Sequence, residues 1–188
     1  MLKQATSKEW APLAASKMDE VLIDHAHCEK KAAASAISLI SSYPGDVELV
    51  NRCAKLAQEE MRHFQDVHRL ICERGLVLTR DHGDIYVKTL RLQIRSGAEE
   101  RRLDRLLVAA LIEARSAERL MLLGEALTEE PLKKFYTSLA RAERHHARIF
   151  VDLAERFVGC ETLNSRLEQL SLYEGALIGG LPLEPRIH

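Results

Sequence analysis

The amino-acid sequence predicts an all-α fold, and three observations carry this prediction. Only five prolines and nine glycines interrupt its 188 residues, of which 46% are apolar. Alanine, leucine, glutamate and arginine, which all favour helices, are abundant. Apolar residues recur at helical spacing in four long segments, which suits a bundle of four helices. A chain of this length can bury a substantial core, so we expect a single domain over residues 1–188.

The first two long segments form one predicted pair. The first helix is expected from about Met18 to Ser41, where the turn sequence SSYPGD ends it. Asp46 follows this turn and can cap the second helix, which is expected from about Val47 to Arg74. Gly75 then supplies a suitable C-terminal cap, because glycine tolerates the left-handed backbone conformation that closes many helices.

The other two long segments form the second predicted pair. The third helix is expected from about Glu99 to Leu127, and Thr128 can then act as the N-cap of the fourth. Pro131 falls within the first turn of that helix, where a missing N–H group costs little. The fourth helix continues to about Phe157. Each pair therefore contains two long helices joined by a short turn.

The connection between the two pairs is longer, with the sequence LVLTRDHGDIYVKTLRLQIRSG. It is too long to join neighbouring helices directly, and we expect a short helix within it from about Ile85 to Arg95. Two short turns flanking one long crossover connection are typical of the ferritin-like four-helix bundle. Residues 160–173 can form one more helix, and the last stretch, GALIGGLPLEPRIH, is expected to be extended.

Composition narrows the range of functions. The formal net charge of −1 gives no support for nucleic-acid binding, which must therefore rest on local clusters of charge. The cysteines form no C-x-x-C pair, so each is expected to be a small buried residue in a reducing compartment. They are Cys28, Cys53, Cys72 and Cys160. No segment has the apolar length of a signal peptide or a membrane span, which predicts a cytoplasmic protein without a membrane partner.

A Glu-x-x-His motif occurs twice, once in each predicted pair. Glu60 precedes His63, and Glu143 precedes His146. Residues three apart share one face of a helix, so each motif can direct two ligands at one point. The histidine at position 145 lies two residues after Glu143 and points nearly the opposite way. We therefore expect His146 to be the inward histidine of that pair, with His145 facing solvent or lying behind the ligands.

A further glutamate precedes each motif at nearly equal distance. Glu29 lies 31 residues before Glu60, and Glu113 lies 30 residues before Glu143. The chain thus contains Glu…Glu-x-x-His twice, which is the ligand set of ferritin-like di-iron and di-manganese proteins. Four carboxylates among apolar helix faces would repel one another, and two divalent cations would offset that repulsion. A metal centre is therefore the function that this pattern favours.

Competing interpretations of single residues remain open. A lone glutamate on a long helix usually lies on a solvated face, and a lone histidine is more often a packed or surface residue than a ligand. Glu118 competes with Glu113 on the third helix, although its spacing to Glu143 breaks the repeat. His25 lies one turn before Glu29 on a similar face and is a candidate to support that carboxylate from behind the metal.

The sequence resembles the MiaE family of bacterial tRNA hydroxylases over nearly its whole length. The similarity lies in the stretches HAHCEKKAAASAISLI, LAQEEMRHFQDV, GDIYVKTLRLQIRSGAEERRLDRLLVAALIEARSAERL and FYTSLARAERHHARIFVDLAERF. That family uses O2 to hydroxylate the isopentenyl group of 2-methylthio-N6-isopentenyl-adenosine beside the anticodon of tRNA. The resemblance implies a non-haem di-iron monooxygenase. Its two iron ions would be held by Glu29, Glu60, His63, Glu113, Glu143 and His146.

The resemblance also implies two partners. Each turnover needs two external electrons, and the chain has no flavin, haem or iron–sulfur motif, which implies a separate reductase or ferredoxin. A tRNA anticodon arm requires phosphate contacts, and basic residues modestly outnumber acidic ones between residues 80 and 105. The candidate tRNA-binding residues are Arg91, Arg95, Arg101, Arg102, Lys133 and Lys134. The protein is expected to be a monomer or a small oligomer.

Three other functions compete with this interpretation. A ferritin- or bacterioferritin-like iron oxidase and storage protein uses a similar ligand repeat, but it must assemble into a large shell. A rubrerythrin-like peroxidase normally carries a C-x-x-C iron domain, which this sequence lacks. In the third alternative, the chain is a helical interaction module and the placement of its glutamates and histidines is coincidental. Metal analysis of the purified protein would distinguish this case from a metal-binding protein.

Overall fold

The computed structural model describes residues 1–188, which form seven α-helices and no strand. In chain order the helices are α1 (Trp10–Ser16), α2 (Met18–Ser42), α3 (Val47–Glu73), α4 (Ile85–Arg91), α5 (Ala98–Ala126), α6 (Glu130–Glu155) and α7 (Cys160–Gly180). The all-α prediction is confirmed, and the four long predicted segments are α2, α3, α5 and α6. No helix combines the length and the apolar composition that a membrane span requires.

The helix ends follow the predicted capping residues with one exception. The carboxylate of Asp46 accepts a hydrogen bond of 3.0 Å from the backbone N–H of Leu49 at the start of α3. Gly75 follows α3 with a φ of 71°, in the left-handed region that glycine adopts without strain. The prediction that Thr128 caps α6 is wrong, because the N-cap is Glu129 and its side chain makes no capping hydrogen bond. Pro131 does lie in the first turn of α6.

The residues fall into two compact units. The α2–α3 unit comprises residues 16–82 and 185–187, and the α5–α6 unit comprises residues 1–15, 83–184 and 188. Each unit therefore contains one of the two predicted pairs of long helices. The expectation of a single domain over residues 1–188 stays a prediction.

In the α2–α3 unit, the two long helices pack against each other along their length. The buried apolar side chains include Leu22 and Leu39 from α2, together with Leu49 and Ile71 from α3. Burial of each such side chain contributes about 1.5–3 kcal/mol, so this apolar face fixes the rotation of both helices. That rotation decides which polar residues of α2 and α3 face inward.

In the α5–α6 unit, α5 and α6 form the second packed pair. The side chains of Leu120, Tyr136 and Phe150, which come from these two helices, are buried. The helices approach closely at Gly124, where a Cβ atom would lie 2.7 Å from Thr137 Cγ2 and 3.2 Å from the backbone nitrogen of Thr137. Glycine at this position is what permits the close approach.

Four structural details differ from the sequence predictions. The seven-residue helix α1 was not expected, and α7 continues to Gly180, so the expectation that the chain is extended from Gly175 is wrong for residues 175–180. Helix α4 ends at Arg91, four residues earlier than predicted. The backbone N–H groups of residues 92–94 bond to carbonyls three residues back, and that of Arg95 donates to the Asp104 carboxylate at 2.9 Å. Cys28 and Cys53 are buried as predicted, whereas Cys72 and Cys160 are exposed.

Candidate metal centre

The α2–α3 unit brings together Glu29, Glu60 and His63. Helix α2 supplies Glu29, and one turn of α3 supplies the other two. Their ligand atoms all lie within 4.8 Å of one another. His63 Nδ1 is 3.6 Å from Glu29 Oε2 and 3.6 Å from Glu60 Oε2. Glu29 is 4% exposed and Glu60 is fully buried, so two carboxylates share a site with almost no access to water.

The α5–α6 unit brings together the matching three residues, Glu113, Glu143 and His146. Helix α5 supplies Glu113, and one turn of α6 supplies the motif pair. Their ligand atoms also lie within 4.8 Å of one another, and His146 Nδ1 is 3.5 Å from Glu143 Oε2. All three residues are buried, with exposed fractions of 5%, 2% and 0%. Each unit therefore carries two glutamates and one histidine. The first long helix supplies one glutamate, and the second supplies the Glu-x-x-His pair.

His25 supports the first trio from one turn away on α2. Its Nε2 atom lies 2.6 Å from Glu29 Oε1, and its side chain is 1% exposed. A buried carboxylate that receives such a contact is held in one orientation, which is how residues behind a metal site commonly fix its ligands. His145 is exposed, as predicted, while its neighbour His146 is fully buried.

The donor chemistry of each trio suits a divalent transition metal. Two carboxylates and one imidazole match iron or manganese better than a metal that seeks thiolates. Without a cation, two buried carboxylates within 4.8 Å of each other repel by about 3.5 kcal/mol at an effective dielectric constant of 20. The residues present therefore fit a bound metal ion, whose positive charge would offset this repulsion.

The competing glutamate on α5, Glu118, has a different role. Its carboxylate accepts hydrogen bonds from the hydroxyl of Thr6, at 2.6 Å, and from the guanidinium of Arg115. Arg115 is fully buried and also forms two hydrogen bonds to Glu174, at 2.8 and 2.9 Å. Tyr86 donates a third hydrogen bond to Glu174 at 3.0 Å. Glu118 thus belongs to a structural network that joins the N-terminal segment, α4, α5 and α7.

This network was not predicted from the sequence. Burial acts to lower the pKa of Arg115, but the charges of Glu174 and Glu118 outweigh it and raise that pKa. Burial and the Glu174 charge together raise the pKa of Tyr86 well above its usual value. Arg115 therefore stays charged, and Tyr86 stays neutral, throughout the ordinary pH range. The partners lie 59 and 88 residues apart in the chain, so no local sequence pattern could reveal the network.

The predicted tRNA-binding residues differ in their surroundings. Arg95 is engaged by Asp104 and Glu100, at 2.8 Å in each case, and the guanidinium of Arg102 lies 4.3 Å from the ring centre of Phe157. Arg91 and Arg101 are exposed. In α6, Lys133 is half-buried and Lys134 is exposed. A role for any of them in RNA binding stays a prediction.

The helical fold and the paired carboxylate–histidine trios define a class, the ferritin-like proteins with metal-binding helix bundles. Comparison with known proteins then identifies the family. The chain belongs to the MiaE family, described as tRNA-(MS[2]IO[6]A)-hydroxylase, whose family model matches residues 1–188. This membership was predicted from the sequence, and it is confirmed.

Two curated relatives carry the same name, tRNA 2-(methylsulfanyl)-N(6)-isopentenyladenosine(37) hydroxylase. The protein from Pseudomonas putida is 35% identical over 183 residues, which is 97% of this chain and 89% of that protein. The protein from Salmonella typhimurium is 30% identical over 145 residues, and the match spans 77% of this chain but only 53% of that longer relative.

A solved structure is similar over the entire chain. It is described as protein 43 with aldehyde deformylating oxygenase activity from Synechococcus. The two structures agree with a TM-score of 0.94 at 39% sequence identity, and the match covers 100% of this chain and 94% of the other. The predicted fold class, a ferritin-like four-helix bundle with a long crossover connection and extra short helices, is confirmed.

Proposed function

We propose that this chain hydroxylates the isopentenyl group of 2-(methylsulfanyl)-N6-isopentenyladenosine at position 37 of tRNA, next to the anticodon. The observation that carries the proposal is the match of the MiaE family model to all 188 residues. The two curated relatives named for this reaction support it. A tRNA substrate also implies that the reaction takes place in the cytoplasm.

The proposed ligands of a di-iron centre are Glu29, Glu60, His63, Glu113, Glu143 and His146. When bound, iron would supply the activation of O2 that the oxidation of an allylic C–H bond of the isopentenyl group requires. Burial of the trios excludes bulk water from the ligands, which strengthens their electrostatic interaction with a cation. His25 acts as a positioning residue that fixes the orientation of Glu29.

The stoichiometry of the reaction requires an electron donor. One oxygen atom of O2 enters the C–H bond and the other becomes water, so the reaction consumes two electrons and two protons. The four cysteines of the chain are all free, and none forms a C-x-x-C pair that could hold an iron–sulfur cluster. We therefore propose that a separate reductase or ferredoxin supplies the electrons.

Mass spectrometry of nucleosides tests the proposed reaction. Reconstituted protein is reduced chemically and incubated with O2 and tRNA that carries the methylsulfanyl-isopentenyl nucleoside. We expect that nucleoside to gain the mass of one oxygen atom. Glu143→Ala should abolish the gain and the binding of iron, whereas Gln58→Ala, at an exposed position of α3 two residues before Glu60, should retain both. A wild-type protein that binds iron but leaves the nucleoside unchanged would refute the proposal.

The Synechococcus structure favours a second candidate, an oxygenase that removes the formyl group of an aldehyde, since that protein is 39% identical to this chain. The same reduced protein can be supplied with an aldehyde instead of tRNA. Loss of the formyl carbon without oxidation of the nucleoside would support this candidate over the tRNA hydroxylase. An iron-storage protein would instead elute from gel filtration as a large shell, whereas we propose a monomer or small oligomer.

A further inference from the structure

The outer face of α6 carries positive charge with no exposed negative charge over most of its length. Residues 131–151 contain five basic residues and one acidic residue, which is the buried Glu143. The basic residues are Lys133, Lys134, Arg141, Arg144 and Arg148. A surface of this kind attracts a polyanion, because α6 itself exposes no acidic residue between Pro131 and Val151.

Helical spacing arranges these charges as a continuous stripe. Lys134, Arg141 and Arg148 recur every seven residues, so they lie on one side of α6, and Arg144 and His145 lie beside them. All five side chains are exposed. From Lys134 to Arg148 the helix rises by about 21 Å, which corresponds to the rise of about six nucleotides in one strand. We call Lys134, Arg141, Arg144, His145 and Arg148 the α6 stripe.

The arginines of the α6 stripe have no partner within the protein. Arg141, Arg144 and Arg148 form no hydrogen bond, ion pair or ring contact. Elsewhere in the α5–α6 unit, Arg95 and Arg166 surround Asp104, and Arg115 is paired with Glu174. An arginine already engaged by a carboxylate offers few donors to a phosphate, whereas the three stripe arginines keep all of theirs.

Carboxylates mark the two ends of the α6 stripe. Glu130 lies 4.0 Å from Lys134 at the start of the helix. Asp152 and Glu155 follow Arg148 at its end. They line a groove of about 800 Å³ together with Arg144, Arg148 and two carboxylates of α5, Glu118 and Glu125. These groups would repel phosphate, so the favourable surface ends within one turn of Lys134 and Arg148. The positive surface is therefore limited to the α6 stripe and does not extend along the whole helix.

We propose that the α6 stripe binds the sugar-phosphate backbone of the tRNA anticodon arm. This inference rests on the proposed function and places the RNA contacts on α6. Of the residues predicted from the sequence, it keeps Lys134 and adds the exposed arginines of the same helix. The same helix carries Glu143 and His146 on its buried face, so backbone contacts on its outer face would hold the RNA beside the proposed metal ligands. Between the charges lies the exposed hydroxyl of Ser138, which can add a hydrogen bond to a phosphate or a ribose.

An acidic electron-transfer protein is the other class of partner that a basic stripe could attract. Protein interfaces usually centre on large apolar or aromatic side chains that become buried. The α6 stripe has none between Lys134 and Arg148, where the other exposed residue is Ser138. Nucleic-acid backbones require only positive charge and hydrogen-bond donors, so the composition favours RNA.

A salt series of binding measurements tests the inference. The probe is a synthetic anticodon stem-loop with the methylsulfanyl-isopentenyl nucleoside at position 37, and the protein is the iron-loaded full chain. The variant combines Arg141→Gln, Arg144→Gln and Arg148→Gln. Each phosphate contact contributes about 0.7–0.9 to the slope of log affinity against log salt. We expect the slope to fall by about 2 and the affinity at 0.1 M salt to fall about 100-fold.

A matched control removes the same charge from arginines that have carboxylate partners. Arg52, Arg69 and Arg74 pair with Glu48, Asp66 and Asp19. Changing these three arginines to glutamine should alter the affinity less than threefold. Iron content and melting temperature are measured for both variants, so that loss of fold is separated from loss of binding.

Unchanged RNA affinity in the stripe variant would overturn the inference, and so would a loss of affinity confined to an Arg91→Gln, Arg101→Gln variant. Impaired turnover with a protein electron donor, combined with normal RNA affinity, would assign the stripe to that donor and also overturn it. A wild-type chain that binds the stem-loop through the stripe but adds no oxygen would refute the proposed function alone.

Discussion

Removal of the metal should destabilise the protein measurably, and the structure gives the expected size. Each trio places two buried carboxylates within 4.8 Å of each other, which costs about 3.5 kcal/mol at an effective dielectric constant of 20. The two trios together reach about 7 kcal/mol, and proton uptake by the metal-free protein relieves part of it. We therefore expect a net loss of about 3 kcal/mol, or about 6–12 °C in melting temperature for a chain of this length.

A single substitution separates electrostatic repulsion from lost packing. Glu60→Gln keeps the shape of the buried side chain and removes one of the two charges in the α2–α3 unit. Without metal, this variant should melt at or above the temperature of the metal-free wild type. With iron, it should gain much less stability than the wild type does, because it lacks a ligand. Calorimetry of both proteins, with and without iron, supplies the four melting temperatures needed.

The control for this experiment is His145→Ala. His145 is exposed beside a buried ligand, so its loss should leave the melting temperature unchanged in both metal states. A wild-type protein that melts at one temperature before and after complete removal of iron would contradict the charge argument. Equal destabilisation of Glu60→Gln in both states would show that the side chain acts through packing instead.

Three further changes test the structure around the site. Burial alone would raise the pKa of Asp104, but hydrogen bonds from its two arginine partners lower it from 3.8 to about 2. The depressed pKa stabilises the fold above pH 4 by about 2 kcal/mol. In urea unfolding, the difference in free energy of unfolding between the wild type and Asp104→Asn should therefore decline as pH falls from 4 to 2. Glu174→Ala should cost about 3–5 kcal/mol in the same assay, because it leaves Arg115 buried without its main counter-charge. Gly124→Ala should cost about 1–2 kcal/mol, since its methyl group would press on Thr137, and an unchanged midpoint would show that α6 yields there.

The sequence predicted the features that depend on local spacing. The four long helices and the Asp46 cap follow from periodicity and capping preferences within a few residues. The spacing of the glutamates and histidines also placed Glu60 and His63 on one turn, and the structure has them together in a buried trio. Local rules suffice here because a helix fixes the direction of each side chain relative to its neighbours.

Features that depend on distant residues could not be predicted. Asp104 receives hydrogen bonds from Arg95 and from Arg166, which lie 9 and 62 residues away in the chain. These bonds engage the guanidinium of Arg95, which therefore offers fewer donors to a phosphate than the sequence suggested. The prediction of an N-cap at Thr128 was wrong although capping is a local feature. The helix begins one residue later, after Glu129, whose side chain makes no capping hydrogen bond.

The side-by-side histidines of α6 make its register critical. An α-helix turns by about 100° for each residue, so a residue deleted before position 145 would move the proposed ligand His146 to the exposed position that His145 now holds. Gly124 adds a contact to the same helix, because a side chain there would press on Thr137 of α6. We therefore expect insertions and deletions among related proteins to lie in the loops between helices and not within α6.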